Sequence, residues 1–233
     1  MKERIVIALD VPSKERALEL VELLAPQVGM FKIGSLLFTA CGPQLVTEVL
    51  QLGGRVFLDL KFHDIPNTVA EAVAAAAQLG VDVCNVHALG GFEMMAAAAA
   101  RLRSFEPSRR PKLLAVTVLT SQDQKSLAQI GISEPVHRLV VRLATLAAEA
   151  GLDGVVASAQ EIQAIRGVVP RNFIILTPGI RPPGTAVNDQ KRVMTPAEAF
   201  AAGADYIVLG RPVIEHPSPL QVLDEVLASI SAS

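Results

Sequence analysis

Phe57-Leu58-Asp59-Leu60-Lys61-Phe62-His63-Asp64-Ile65-Pro66-Asn67-Thr68 changes character halfway along. Its first part continues from Val56 and reads as a β-strand, because β-favouring apolar residues run together there. Side chains on a strand alternate faces, which puts Asp59 and Lys61 on one side. Asp64 falls three residues later, past the strand end. Pro66 suits the first turn of a helix and holds Ile65 extended. Helix-forming residues then run to Leu79. Two carboxylates and an ammonium thus converge where a strand hands over to a helix. Charges rising from a buried strand are costly unless paired. A structural ion pair closing the strand end would meet that cost, but it needs only one of the two acids.

The same alternation repeats on both sides of this stretch. Short apolar runs that read as strands are Ile5–Leu9, Met30–Ile33, Arg55–Leu60, Asp82–Val86, Lys112–Leu119, Gly154–Ala157, Phe173–Leu176 and Tyr206–Leu209. Helical segments follow each of them: Lys14–Leu24 with Ser13 as cap, Gln44–Leu52, Thr68–Leu79, Gly91 to about Ser104, Glu134–Ala150, Gln160–Val168, Thr195–Gly203 and Pro217–Ser231. Gln122–Ile132 reads as a short polar segment. Near-continuous apolar strands are those of a parallel sheet buried on both faces. Eight such units in this length predict an α/β fold, a single-domain (β/α)₈ TIM barrel over residues 1–233. An open doubly wound sheet is the alternative. It usually carries a Gly-rich loop after its first strand, where this chain has Asp10-Val11-Pro12-Ser13.

Composition narrows the function. A chain of 233 residues with 51% hydrophobic and 19% charged residues can bury a large core. A net charge of −2 argues against a nucleic-acid polymer or a membrane surface as partner. No apolar run has the length of a signal peptide core or a membrane span, so a cytoplasmic protein is expected. Cys41 and Cys84 lack metal-type spacing and read as small buried apolar groups.

The polar residues fall in a pattern. Asp10, Lys32, Asp59, Lys61, His87, Thr120, Gly179 and Arg211 all sit at or just past the C-terminal end of a predicted strand. In a barrel those ends surround one pocket. Asp10 and Lys32 could pair with each other; their place at the mouth favours contact with a ligand. Thr120 and Ser121 offer hydroxyls to a planar heterocycle, although Ser121 could instead cap a turn. The last two strand ends read as a phosphate site. There Gly210 permits close backbone approach, Arg211 supplies a planar fork, and Pro212–Glu215 forms a short helix. Arg181 and Gln190, on a Pro- and Gly-rich loop, could close over the same group. Lys191 and Arg192 read as solvated. His87 reads as a packed residue, and His63 receives no role.

Asp59-x-Lys61-x-x-Asp64-Ile65-Pro66-Asn67-Thr68 resembles the signature of orotidine 5′-monophosphate decarboxylase in its short bacterial form. The resemblance extends along the whole chain through Asp10, Lys32, Thr120, Arg181, Gln190 and the Gly210-Arg211 pair. It implies decarboxylation of orotidine 5′-monophosphate (OMP) to uridine 5′-monophosphate (UMP) in pyrimidine biosynthesis, with neither a cofactor nor a metal. It also implies that Lys61 is the catalytic lysine flanked by Asp59 and Asp64. Substrate contacts would fall to Asp10, Lys32, Thr68, Thr120, Arg181, Gln190, Gly210 and Arg211. Members of this family are homodimers with shared sites, so Asp64 and Thr68 would serve the partner's site.

Two other readings stand beside this one. A metal-dependent sugar-phosphate decarboxylase, synthase or epimerase would share the barrel, with Asp59, His63, Asp64 and His87 as conceivable ligands. Lys61 between two acids would repel that cation. A non-catalytic nucleotide sensor would keep Arg211 and Gln190 but has no need of Lys61 or Asp59.

Overall fold

The computed structural model describes residues 1–182 and 194–231. Eight parallel strands close into one barrel in sequence order, each hydrogen-bonded to the next and β8 to β1. They are β1 (Ile5–Ala8), β2 (Met30–Gly34), β3 (Val56–Phe62), β4 (Val83–His87), β5 (Lys112–Val116), β6 (Gly154–Val156), β7 (Ile174–Thr177) and β8 (Tyr206–Leu209). Helices among the described residues are α1 (Lys14–Leu24), α2 (Ser35–Cys41), α3 (Gln44–Gln51), α4 (Pro66–Gln78), α5 (Gly91–Leu102) and α6 (Gln124–Gln129). After these come α7 (Val136–Glu149), α8 (Ile162–Arg166), α9 (Pro196–Ala202), α10 (Arg211–Ile214) and α11 (Pro219–Ser231). None of them is long and apolar enough to cross a membrane.

The expected barrel is therefore present, with three differences of detail. α2 occupies a stretch with no predicted element. α6 forms within the polar segment, held by a capping box between Asp123 and Ser126. β5 ends at Val116 rather than Leu119, although the Thr117 amide still donates to the Val156 carbonyl at 3.1 Å.

Strand alternation sorts the core into two layers. Ile5, Ile7, Phe31, Ile33 and Leu58 face outward and pack with the helices. Val6, Ala8, Met30, Phe57, Val83, Leu114, Val116, Val156, Leu176 and Val208 fill the barrel interior. Two residues further up the same inward rows come the polar groups. Val6 and Ala8 lead to Asp10, Met30 to Lys32, Phe57 to Asp59, and Val83 to Asn85. The interior is thus apolar low down and charged at the mouth.

The opposite end is tied by one device used three times. Asp82, Asp153 and Asp205 each precede an even-numbered strand. Each accepts from the first free amide of the strand before it: Val56 at 2.9 Å, Leu113 at 2.9 Å and Ile175 at 2.7 Å. Each also pairs with a cation, namely Arg55, Lys112 and Arg166. Strand ends that would otherwise leave amides unmet are so closed. A cavity of about 520 Å³ lies at this end, but the Arg55, Asp82 and Lys112 side chains lining it are already engaged in those ties.

Candidate active site

Four charged side chains form an alternating row across the barrel mouth. The Lys32 ammonium lies 3.1 Å from Asp10 Oδ1 and 3.3 Å from Asp59 Oδ2. Lys61 Nζ lies 2.8 Å from Asp59 Oδ1. Asp59 is buried, and both its oxygens are engaged. Burial disfavours the charge on Lys32, but the carboxylates of Asp59 and Asp10 outweigh it and hold the lysine above its ordinary pKa. Gly34 matters to this row. A Cβ there would stand 3.2 Å from the Lys32 ammonium and 3.5 Å from Asp10 Oδ1, so a side chain would crowd the pair.

Lys61 reaches Asp59 by a route that simple alternation does not describe. Its φ is +51°, and no other non-glycine residue among those described has a positive φ. A left-handed lysine costs about 1 kcal/mol and persists only where its surroundings impose it. The pairing of β3 with β4 explains the imposition. Leu58 is opposite Cys84, while Phe62 is opposite Val86, so four steps on β3 match two on β4. Lys61 sits in this bulge. The buried Asn85 side chain lies against it, accepting from the Lys61 amide at 2.8 Å and donating to Asp59 Oδ1 at 2.6 Å.

Two connected hollows open beside the row. One, about 300 Å³, is lined by Lys61, Asp59, Thr120, Ser121, Ser158 and Pro178 among others. The second, about 320 Å³, is lined by Asp10, Gly179, Arg181, Gly210 and Arg211 among others. Lys32, Pro178 and Val208 border both. The first has the apolar walls and few polar groups that suit a heterocycle. The second gathers two guanidinium groups, as an anionic group requires. The stem of the loop after β7 is closed by the Arg181 amide donating to the Met194 carbonyl at 3.1 Å.

The sequence profile of the orotidine 5′-phosphate decarboxylase / HUMPS family matches residues 3–226. This chain belongs to that family. An orotidine 5′-phosphate decarboxylase of Geobacter sulfurreducens is 53% identical over 232 residues, with 97% of each chain covered. One from Trichlorobacter lovleyi is 53% identical over 234 residues, covering 98% of this chain and 97% of its own. The crystal structure of orotidine 5′-phosphate decarboxylase from Lactobacillus acidophilus matches with a TM-score of 0.85 at 34% identity, over 97% of this chain and 98% of that one.

Of the residues singled out in the sequence by their likeness to this family, Asp10, Lys32, Asp59, Lys61, Thr120, Arg181, Gly210 and Arg211 line the two hollows. Gln190 lies outside the described residues. Asp64 and Thr68 stand apart from the hollows, on the exposed run 63–68. The Asp64 carboxylate accepts from the Ile65 amide at 2.6 Å, and Ile65 itself is 67% exposed.

Asn85 and Gly34 were not among the residues singled out. The signal for Asn85 was available: an amide two residues beyond Val83, on the inward row of an apolar strand. His63 and His87 stack with ring centroids 5.5 Å apart. Burial, then the neighbouring His63 and Lys61, push His87 down to about 4, so it is neutral at physiological pH. Its Nδ1 accepts from the Leu89 amide at 3.3 Å, as suits a packed histidine. Cys84 is buried and pushed up to about 12 by burial and then by Asp153, which leaves it an unreactive thiol. Cys41, expected to be buried, is partly exposed at the end of α2.

Proposed function

We infer that this chain decarboxylates OMP to UMP in cytoplasmic pyrimidine biosynthesis, without a cofactor, and that Lys61 supplies the proton to C6. The observation that carries this reading is the row Asp10–Lys32–Asp59–Lys61 set beside a two-part hollow. In the step, the bond from C6 to the carboxylate breaks and its electron pair stays on C6. Carbon dioxide departs, and a Lys61 N–H proton passes to C6. The neutral amine is then reprotonated from solvent. A carbanion at C6 is poorly delocalised, so a fixed ammonium beside it lowers the barrier by charge and then serves as general acid. Asp59 holds that ammonium in place.

Names borne by close relatives support the substrate. The base would enter the hollow lined by Thr120 and Ser121, and the phosphate would take the one lined by Arg181 and Arg211. The loop that carries Arg181 and Gln190 would then close over the phosphate. Asp64 and Thr68 are proposed to serve the partner's site in a homodimer, a reading supported by their exposure and by their lying outside the lining of this chain's own two hollows.

The direct test is the fall in ultraviolet absorbance as OMP loses its carboxylate. Activity is expected to persist in excess EDTA, because both oxygens of Asp59 already face Lys32 and Lys61 and offer no place for a cation. An unchanged OMP spectrum would overturn the reading, and complete loss of activity on chelation would favour a metal-dependent relative of the same barrel.

Arg211→Ala is expected to lower kcat/KM for OMP by roughly a hundredfold, matching about 3 kcal/mol for a lost charge-assisted phosphate contact. The phosphate acts at a distance, since its binding energy closes the loop and aligns the charged row. Steady-state kinetics on OMP checks this. An unchanged kcat/KM would move the phosphate elsewhere.

A further inference from the structure

We propose that Asn85 is a positioning residue for the reaction, the clamp that holds Lys61 in its left-handed backbone and aims Asp59 at the lysine ammonium. The proposal rests on the decarboxylase reading given above for its kinetic part and on geometry alone for its structural part. Asn85 is fully buried and borders neither hollow, so any effect on catalysis must pass through other groups. Its two ends do different work. Oδ1 takes the Lys61 amide at 2.8 Å, an N–H that the bulge removes from the ladder to β4. Nδ2 donates to Asp59 Oδ1 at 2.6 Å, the same oxygen that meets Lys61 Nζ at 2.8 Å. One side-chain amide therefore fixes the backbone of the lysine and the carboxylate that steers its tip.

Both tasks need an acceptor and a donor on one short side chain. Leucine fills the space but leaves the Lys61 amide and an Asp59 lone pair unmet. Without those bonds the bulge can relax to ordinary extended backbone, which lies outside the left-handed region that Lys61 now occupies. Misplacing a reacting group by about 1 Å is enough to lower a rate by about a hundredfold.

The test uses Asn85→Ala and Asn85→Asp in the intact chain. Asn85→Ala is expected to lower kcat at least about a hundredfold while KM for OMP and affinity for UMP stay within about threefold, because Asn85 borders neither hollow and the one lined by Arg181 and Arg211 is untouched. Asn85→Asp keeps the oxygen for Lys61. While it and Asp59 share one proton, it also keeps a donor. The charged and titratable groups around it are Asp59 and Lys61 on β3, Lys32 on β2, and the His63–His87 pair. Activity of this variant is expected to return at lower pH and to fall again as the shared proton is lost. A residue that merely filled the barrel would give no such pH profile.

Hydrogen exchange at the Lys61 amide gives a readout independent of any substrate. Protection is expected in the unmodified chain and loss of protection in Asn85→Ala. If the unmodified chain fails to decarboxylate OMP, the functional reading fails while the exchange result still judges the clamp. The clamp itself is overturned by kcat within threefold of the unmodified value in Asn85→Ala, by unchanged exchange at Lys61, or by an Asn85→Asp variant whose activity does not depend on that shared proton.

Discussion

Lys61→Ala is expected to bind UMP within a few-fold of the unmodified protein and to lose decarboxylation by about 10⁴-fold or more. The binding half follows from the division of the mouth into two hollows. Arg181, Arg211 and Gly210 line the one assigned to phosphate, and Lys61 borders only the other. The catalytic half follows from the two tasks laid on one ammonium. In the proposed step, removing it takes away the charge that faces the developing carbanion and the proton that quenches it. It also leaves Asp59 with Lys32 as its remaining cationic partner, so the carboxylate no longer holds a donor near C6. Calorimetric titration with UMP and single-turnover decay of OMP separate the two halves. Turnover within tenfold of the unmodified protein would remove Lys61 from its role. Loss of UMP binding in step with turnover would instead make the lysine a ligand contact.

How far the sequence revealed this arrangement depends on which physical rule governed each residue. The eight strands were legible because a parallel sheet covered on both faces needs near-continuous apolar runs, and β1 and β8 supply them. The overrun of β5 has the same origin: Thr117, Val118 and Leu119 continue the run after the strand has ended. α2 was missed because Ser35–Cys41 is a single short helix between Gly34 and Gly42, without a side-chain cap, and presents Leu36 to solvent at 67%. Asp59 and Lys61 do converge as alternation predicts, but through a bulge with a left-handed lysine rather than a regular strand. Insertion of that kind depends on the partner strand, and no period within residues 57–62 encodes it. Asn85, which meets the bulge, was readable in principle from its parity with Val83. It lay unread because an amide in an apolar strand carries no charge to draw notice.

Asp64→Asn is expected to lower kcat by about 10²- to 10³-fold, the scale for removing one fixed group from a charged catalytic network. On this chain Asp64 stands on an exposed run, apart from the hollow that contains Lys61, with its carboxylate turned to the Ile65 amide. A residue so placed reaches a C6 carbanion if a second chain brings it there, which is the shared-site proposal made above. The adjoining surface suits such a contact: Ile65 is 67% exposed and Phe92, at the start of α5, is 45% exposed. Apolar side chains of this size beside functional groups fit an interface between identical chains. Mixing Asp64→Asn with Lys61→Ala chains separates the possibilities. In a mixed dimer one site carries both defects and the other carries Lys61 from one chain with Asp64 from its partner. With free exchange, half of the dimers are mixed and each restores one site of two, so about a quarter of full activity is expected. Either variant alone stays near its own low rate. Exchange of chains shown by a mass label, with no recovery of turnover, would mean that Asp64 acts within its own chain and that the loop from His63 to Thr68 must move to reach Lys61.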